Sequence, residues 1–198
     1  MTSRPFVVLS ACLLVLAVSM AFYVWQLRNR SESEPAFAPA AQTLPPPRNG
    51  APTDVTFWIA HDDTGVLTPQ KKSVALSTDR QRKAEEMLGS LLLMYTGKDS
   101  PHRLPPSADV RNVYFVDPGL VVIDVNSELA NGQTSGILSE ELTIASLAQT
   151  LSANFQGISR IKFLVNGKES DTLAGHADLS RVYSSSQISD LVKQLSTP

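Results

Sequence analysis

Cysteine is almost absent from this sequence: the only one, Cys12, lies inside an apolar N-terminal segment. The rest of the chain therefore contains no disulfide, no thiolate nucleophile and no thiolate ligand for a metal. A domain without thiols is compatible with an oxidising compartment outside the cytoplasm.

The sequence also lacks an excess of positive charge. Lys and Arg number 17 and Asp and Glu number 19, which gives a formal net charge of −2. Nucleic-acid recognition needs a clustered basic face that neutralises phosphates, so we expect no nucleic-acid partner. Hydrophobic residues make up 42% of the chain, which is typical of a folded domain and not of a disordered one.

No charged residue occurs between positions 6 and 27, and these 22 residues are predominantly apolar. As a helix they would span about 33 Å, enough to cross a hydrocarbon core of about 30 Å. We therefore predict a cytoplasmic N-terminus at residues 1–5 and a transmembrane anchor at residues 6–27. Because a short N-terminal flank is easily retained inside, we expect a single-pass protein of the bacterial cell membrane with its C-terminal domain extracytoplasmic.

A second interpretation of this segment rests on the tetrapeptide Leu9-Ser10-Ala11-Cys12, which has the form of a bacterial lipobox. Cleavage before Cys12 would leave a lipidated N-terminus in place of a spanning helix. The apolar run continues well beyond Cys12, which favours the spanning anchor. Either alternative tethers the protein to a membrane.

Residues 28–52 contain six of the 13 prolines. Proline fixes φ and removes a backbone donor, so this stretch is predicted to be a linker and not a helix or strand.

Hydrophobic periodicity divides the following residues into strands and helices. An aromatic and β-branched run, Val55–Ile59, predicts a strand, and Ser73–Leu76 predicts a weaker one. Thr78 and Gln81 have the spacing of a capping box, and Gly97 is expected to end the helix that follows. The predicted buried face of that helix is Ala84, Met87, Leu88, Leu91, Leu92 and Tyr95.

Further along the chain, Val110–Val116 and Leu120–Val125 predict a hairpin, and a loop through Asn131-Gly132 leads to a second helix. A strand ending at Val165 and the turn Asn166-Gly167 follow. The order β-β-α-β-β-α-β-β predicts one α+β domain at residues 53–183, with two helices packed on a mixed sheet. The predicted buried face of the second helix is Ile144, Leu147, Ala148, Leu151 and Phe155, and Ile161, Phe163 and Val165 alternate in the strand.

Several polar residues are candidates for catalytic or metal-binding groups. His61-Asp62-Asp63 diverge at a strand end, and His176 near Asp178 has no assignable third partner. Asp124 and the pair Glu140-Glu141 could serve a glycan hydrolase, but a strand end for Asp124 and the first turn of a helix for the glutamates are the favoured interpretations. We predict no catalytic, cofactor or metal site.

The C-terminal segment, residues 184–198, carries a short apolar stripe at helical spacing. The stripe indicates either a final helix packed on the domain or a helix that binds a partner. Its members are Ile188, Leu191, Val192 and Leu195.

A set of segments in fixed order resembles the GerMN domain family of sporulation and spore germination proteins over about residues 54–182. The segments are 91–97 (LLLMYTG), 104–106 (LPP), 119–125 (GLVVIDV), 139–142 (SEEL), 147–151 (LAQTL), 155–158 (FQGI), 163–167 (FLVNG) and 175–179 (GHADL). Lys98 departs from the proline that the family tends to place after the preceding glycine, which affects only the loop to Ser107.

The resemblance implies a membrane-anchored envelope module with a fold similar to ring-building domains and without enzymatic activity. We therefore expect an assembly or interaction module that associates with itself or with envelope-complex proteins, with peptidoglycan as a further partner. The alternative is an envelope hydrolase that acts on peptidoglycan.

The predicted topology can be tested with reporters fused after Pro198. A reporter that works only outside the cytoplasm should be active, and activity of a cytoplasm-only reporter at the same position would contradict the orientation. The intact mass of the N-terminus decides the second alternative, because a diacylglyceryl group on Cys12 would replace the spanning anchor.

Overall fold

The computed structural model describes residue 20, residue 50 and residues 52–196. Contacts divide the chain into two units, Met1–Thr43 and Leu44–Pro198, and the folded domain belongs to the second. The predicted anchor at 6–27 and linker at 28–52 lie almost wholly outside the described residues. Among those described, no helix is long and apolar enough to cross a membrane.

Eight strands and four helices succeed one another between residues 52 and 196. They are β1 (Pro52–His61), β2 (Val66–Ala75), α1 (Arg80–Tyr95), β3 (Val110–Val116), β4 (Leu120–Val125), α2 (Ser127–Gly132), α3 (Ile137–Asn154), β5 (Arg160–Val165), β6 (Thr172–Leu173), β7 (Ala177–Asp178), β8 (Tyr183–Ser184) and α4 (Ser185–Gln194).

These strands form one mixed sheet and two separate hairpins. The order of the main sheet is β3-β4-β5-β8, with β4 and β5 parallel and the other pairs antiparallel. Strands β1 and β2 pair only with each other over their full length, and so do the short strands β6 and β7. The α+β class and the mixed sheet are confirmed, but the described residues contain four helices where two were predicted, and the first hairpin is a separate two-stranded sheet.

Two local expectations were wrong. The predicted loop through Asn131-Gly132 is helix α2, because the Asn126 side chain accepts from the Leu129 N–H and caps the turn. Helix α1 is capped by Asp79, whose carboxylate accepts from the Arg82 N–H at 2.9 Å, and not by the predicted box at Thr78.

The outer edge of β1 is not paired with another strand, and helix α3 lies along it. The Asn154 side chain accepts from the Thr56 N–H at 3.0 Å and donates to the Thr56 carbonyl at 2.8 Å. About one turn earlier in the helix, Thr150 Oγ1 accepts from the Trp58 N–H at 3.0 Å, and about two turns earlier Ser146 Oγ donates to the Trp58 carbonyl at 2.6 Å. Side chains of α3 thus replace the missing neighbour strand.

Tyr95, the last residue of α1, completes this arrangement. Its hydroxyl accepts from the Ala60 N–H at 2.8 Å and lies 2.7 Å from Ser146 Oγ. Burial raises the pKa of Tyr95 to about 12, so the phenol stays neutral over the physiological pH range. Both long helices therefore contribute side chains to the same strand edge.

The β1 edge yields a stability prediction for Thr150→Val. The substitution keeps the side-chain shape but leaves the Trp58 N–H without its acceptor, so the free energy of unfolding should fall by about 1–3 kcal/mol. Denaturant unfolding followed by tryptophan fluorescence measures the change. Thr134→Val, at an exposed position, is the matched control and should stay within about 0.5 kcal/mol of wild type. Equal effects of the two substitutions would contradict the edge assignment.

Candidate functional site

A row of three polar side chains connects the β1–β2 turn to helix α3. His102 Nδ1 lies 2.6 Å from Asp62 Oδ1, and because a carboxylate only accepts, this nitrogen carries a proton. His102 Nε2 lies 2.8 Å from Thr143 Oγ1. The order carboxylate, imidazole, hydroxyl is the order of a nucleophilic triad.

Burial separates this row from a working triad. His102 and Thr143 are 0% and 1% exposed, and the imidazole packs edge-on against the Tyr95 ring at 4.9 Å. The Thr143 Oγ1 also lies 2.7 Å from Gln133 Oε1 and 3.1 Å from the Ser139 carbonyl oxygen. A nucleophile needs an open side from which a substrate can approach, so the geometry supports a structural connection and not acyl transfer.

Asp62 also binds the backbone of the two residues that flank His102. Asp62 Oδ2 accepts from the Arg103 N–H at 3.1 Å, and the Asp62 N–H donates to the Pro101 carbonyl at 2.8 Å. The long loop after α1 is thereby attached to the tip of the first hairpin. Sequence reasoning missed this contact, since 40 residues separate the partners.

Glu140 lies in the first turn of α3, as predicted, and the structure buries it completely. Its Oε1 accepts from the Gly136 N–H and pairs with His176 Nδ1 at 2.9 Å. Its Oε2 accepts from the N–H groups of His176 and Ala177, both at 2.8 Å. Burial opposes ionisation, but these hydrogen bonds outweigh it and lower the pKa of Glu140.

The second predicted carboxylate, Asp124, has a different set of partners. It is 2% exposed, accepts from the Gly167 N–H at 2.7 Å, and lies 3.7 Å from Arg111 Nε. Asp124 holds the turn after β5, whereas Glu140 holds the β6–β7 hairpin. Each is committed to backbone partners of its own, and they do not share one site.

The histidine clusters that sequence analysis considered as metal or catalytic groups are dispersed in the fold. His61 Nε2 lies 2.9 Å from Thr68 Oγ1, whereas Asp63 accepts from the next amide and Asp62 turns to His102. Asp178 accepts from Ser180 and does not contact His176. Between residues 52 and 196, no three His, Cys, Asp or Glu side chains gather as a metal site would require.

The predicted C-terminal stripe is part of the core. Ile188, Val192 and Leu195 are 1%, 6% and 5% exposed, and Leu191 packs on the core while partly accessible. The Leu195 carbonyl accepts from the Leu67 N–H at 2.7 Å, which attaches α4 to β2. The packed-helix alternative describes this placement, so the stripe offers little surface to a partner.

Comparison with known proteins identifies a family whose match lies within the folded domain. The Germane family, described as sporulation and spore germination, has a sequence model that matches residues 55–171. The chain belongs to this family. No curated protein matches it.

Two solved structures support the Germane fold assignment. The tandem GerMN domains of the sporulation protein GerM from Bacillus subtilis align with 22% identity and a TM-score of 0.53, covering 68% of this chain. This chain spans only 46% of that tandem structure. The first GerMN domain of the same protein aligns with 18% identity and a TM-score of 0.50, covering 98% of that domain. The resemblance predicted from sequence is confirmed at the level of family and fold.

Two of the segments that indicated the Germane family meet at one carboxylate. Segment 139–142 supplies Glu140, and segment 175–179 supplies the two amides and the imidazole that bind it. Each segment is recognisable in the sequence, but only the fold shows that segment 175–179 forms hydrogen bonds to the Glu140 carboxylate.

The buried imidazole predicts how the stability of this Germane domain depends on pH. Burial lowers the pKa of His102 despite its bond to Asp62, so the folded state binds a proton more weakly than the unfolded chain. The contribution of His102 to the free energy of unfolding should therefore be at its maximum above about pH 6.5. As the pH decreases below this value, the contribution should fall by at most about 1.4 kcal/mol per pH unit.

Unfolding curves of wild type and His102→Gln between pH 8 and 5 measure this contribution. The substitution should be destabilising at pH 8 and should flatten the decrease between about pH 6.5 and 5, a window that lies above the titration of ordinary carboxylates. A wild-type domain whose stability increases on acidification over this window would refute the assignment.

Proposed function

We propose that this protein is a membrane-anchored component of the bacterial cell envelope whose Germane domain is a non-catalytic assembly module. The domain lies outside the cytoplasm on its proline-rich linker, and it associates with further copies of itself or with neighbouring envelope proteins. Membership of the Germane family and the uncharged N-terminal segment support this proposal.

The proposal that the domain is non-catalytic rests on the burial and hydrogen bonding of its potentially reactive side chains. His102, Thr143, Glu140 and Asp124 are all buried, and each is bonded to the backbone or to another buried group. Catalysis requires a group that can reach a substrate and change its partner during the reaction. These four groups instead connect distant segments of the fold.

The surface offers an apolar area for association at the start of α3. Ile137 and Leu138 are 62% and 47% exposed, although both are large aliphatic side chains. A Cβ placed on Gly65 would lie 3.0 Å from Leu138 Cδ2, so this pair continues onto the β1–β2 turn. Adjacent exposed aliphatic side chains favour association more than single ones do.

Cross-linking of the full-length protein in its native membrane tests the proposal. Wild type should give reproducible cross-links to itself or to a consistent envelope protein. Replacing both residues, Ile137→Gln with Leu138→Gln, removes about 1–3 kcal/mol of apolar burial, so the association constant should fall by a factor of about 5 to 150. Leu93→Gln is the matched control, because Leu93 is 64% exposed on α1 and should leave the cross-links unchanged.

Two results would contradict the assembly module. One is the absence of any reproducible cross-link in wild type. The other is release of soluble fragments when the full-length protein is incubated with purified peptidoglycan, with turnover lost in Asp124→Asn, since that outcome supports the hydrolase alternative.

A further inference from the structure

A cleft of about 180 Å³ lies between the first turn of α1, the β3–β4 turn and the loop from α3 to β5. Its lining includes Arg80, Phe115, Asp117, Gly119, Gln156 and Ile158. Pockets for drug-sized ligands measure about 300–1,000 Å³, so this space suits a smaller molecule. None of the buried networks described above contributes to it.

Arg80 is a cation held in position above this cleft. Its guanidinium carbon lies 4.2 Å from the centroid of the Phe115 ring, and one of its N–H groups donates to the Gln156 carbonyl at 3.2 Å. The ring face attracts the cation, and a guanidinium carries five N–H donors, more than the bond to Gln156 uses. Among residues 52–196 no carboxylate lies within 4.0 Å of Arg80, so the charge is positioned without an acidic partner.

The platform under Arg80 is itself fixed by packing. Phe115 packs on Phe155 with 5.3 Å between ring centroids, and both side chains pack against the core. A guanidinium on such a platform loses less conformational freedom on binding than one on a free side chain.

The opposite rim depends on Gly119, whose φ is +72°. A Cβ at this position would lie 2.5 Å from Ser159 Oγ and 2.9 Å from the Gly157 carbonyl, so a larger residue would force the two loops apart. The Gly119 carbonyl accepts from the Ser159 and Arg160 amides at 2.8 and 3.0 Å. The rim is therefore built by backbone contacts that any larger residue at 119 would disturb.

The lining holds one charge of each sign. Arg80 is cationic, Asp117 is anionic, and the two do not form an ion pair within 4.0 Å in the described residues. Arg160 is the neighbouring cation and donates to the Pro118 carbonyl at 3.3 Å without lining the cleft. Phe115 and Ile158 supply an apolar floor.

We propose that this cleft binds a short zwitterionic peptide with small apolar side chains. The ligand carboxylate pairs with Arg80, whose planar donors match it in two-pronged geometry, and the ligand ammonium faces Asp117. The small volume and the apolar floor select a dipeptide of alanine size over a longer or polyanionic ligand. This site is separate from the surface proposed for association and does not depend on it.

Isothermal titration of the full-length protein with alanyl-alanine tests the proposal. We expect saturable binding that weakens about tenfold to hundredfold in Arg80→Gln and in Asp117→Asn, since each removes the charged partner of one end of the ligand. Arg82→Gln is the control, because Arg82 is exposed on the same helix and does not line the cleft. A thermal melt of each variant verifies that the fold is retained.

Two modified ligands, each lacking one charged group of the dipeptide, test the two proposed ion pairs. Alanyl-alanine amide lacks the carboxylate and N-acetyl-alanyl-alanine lacks the ammonium, so both should bind about tenfold or more weakly. The proposal is overturned if alanyl-alanine shows no saturable binding, if Arg80→Gln binds as wild type does, or if either modified ligand binds equally well.

Discussion

The unpaired outer edge of β1 is the constraint on which the rest of the domain depends. Thr56, Trp58 and Ala60 turn their backbone groups away from β2, and each group left without a partner would cost about 1–3 kcal/mol. Side chains on α3 and α1 supply the partners. The position of both helices relative to the hairpin is therefore set by directional hydrogen bonds in addition to apolar packing.

The other edge of the same hairpin is closed by different means, and this affects how the protein can associate. On β2 the Leu67 N–H donates to Leu195, Pro69 has no N–H to donate, and Lys71 places a charge at the next outward position. Each of these features discourages a further strand from pairing. The proposed association is thus more readily made through side-chain contacts, such as those proposed at Ile137 and Leu138, than by extension of this hairpin.

Periodicity could predict the elements, because Leu, Val and Ile spacing reports directly on which face is buried. The strands Val110–Val116 and Leu120–Val125 were predicted with the bounds that are observed, and so was the buried face of α1. A further signal was present in α3: Thr143, Ser146, Thr150 and Asn154 recur at helical spacing on an otherwise apolar helix. The identity of their partners was beyond prediction, since Thr56 and Asn154 are 98 residues apart.

The partners of the buried polar residues were likewise beyond prediction from the sequence. Glu140 stands in sequence as an ordinary acidic residue of a helix start, where solvent and the helix dipole would suffice to explain it. In the fold it is enclosed, because Gly136, His176 and Ala177 together satisfy both of its oxygens. His102 is enclosed in a similar way, because Asp62 and Thr143 are the partners of its two ring nitrogens. Since the enclosed groups join α3 to the loops on either side, their contribution to the stability of the fold accounts for their burial.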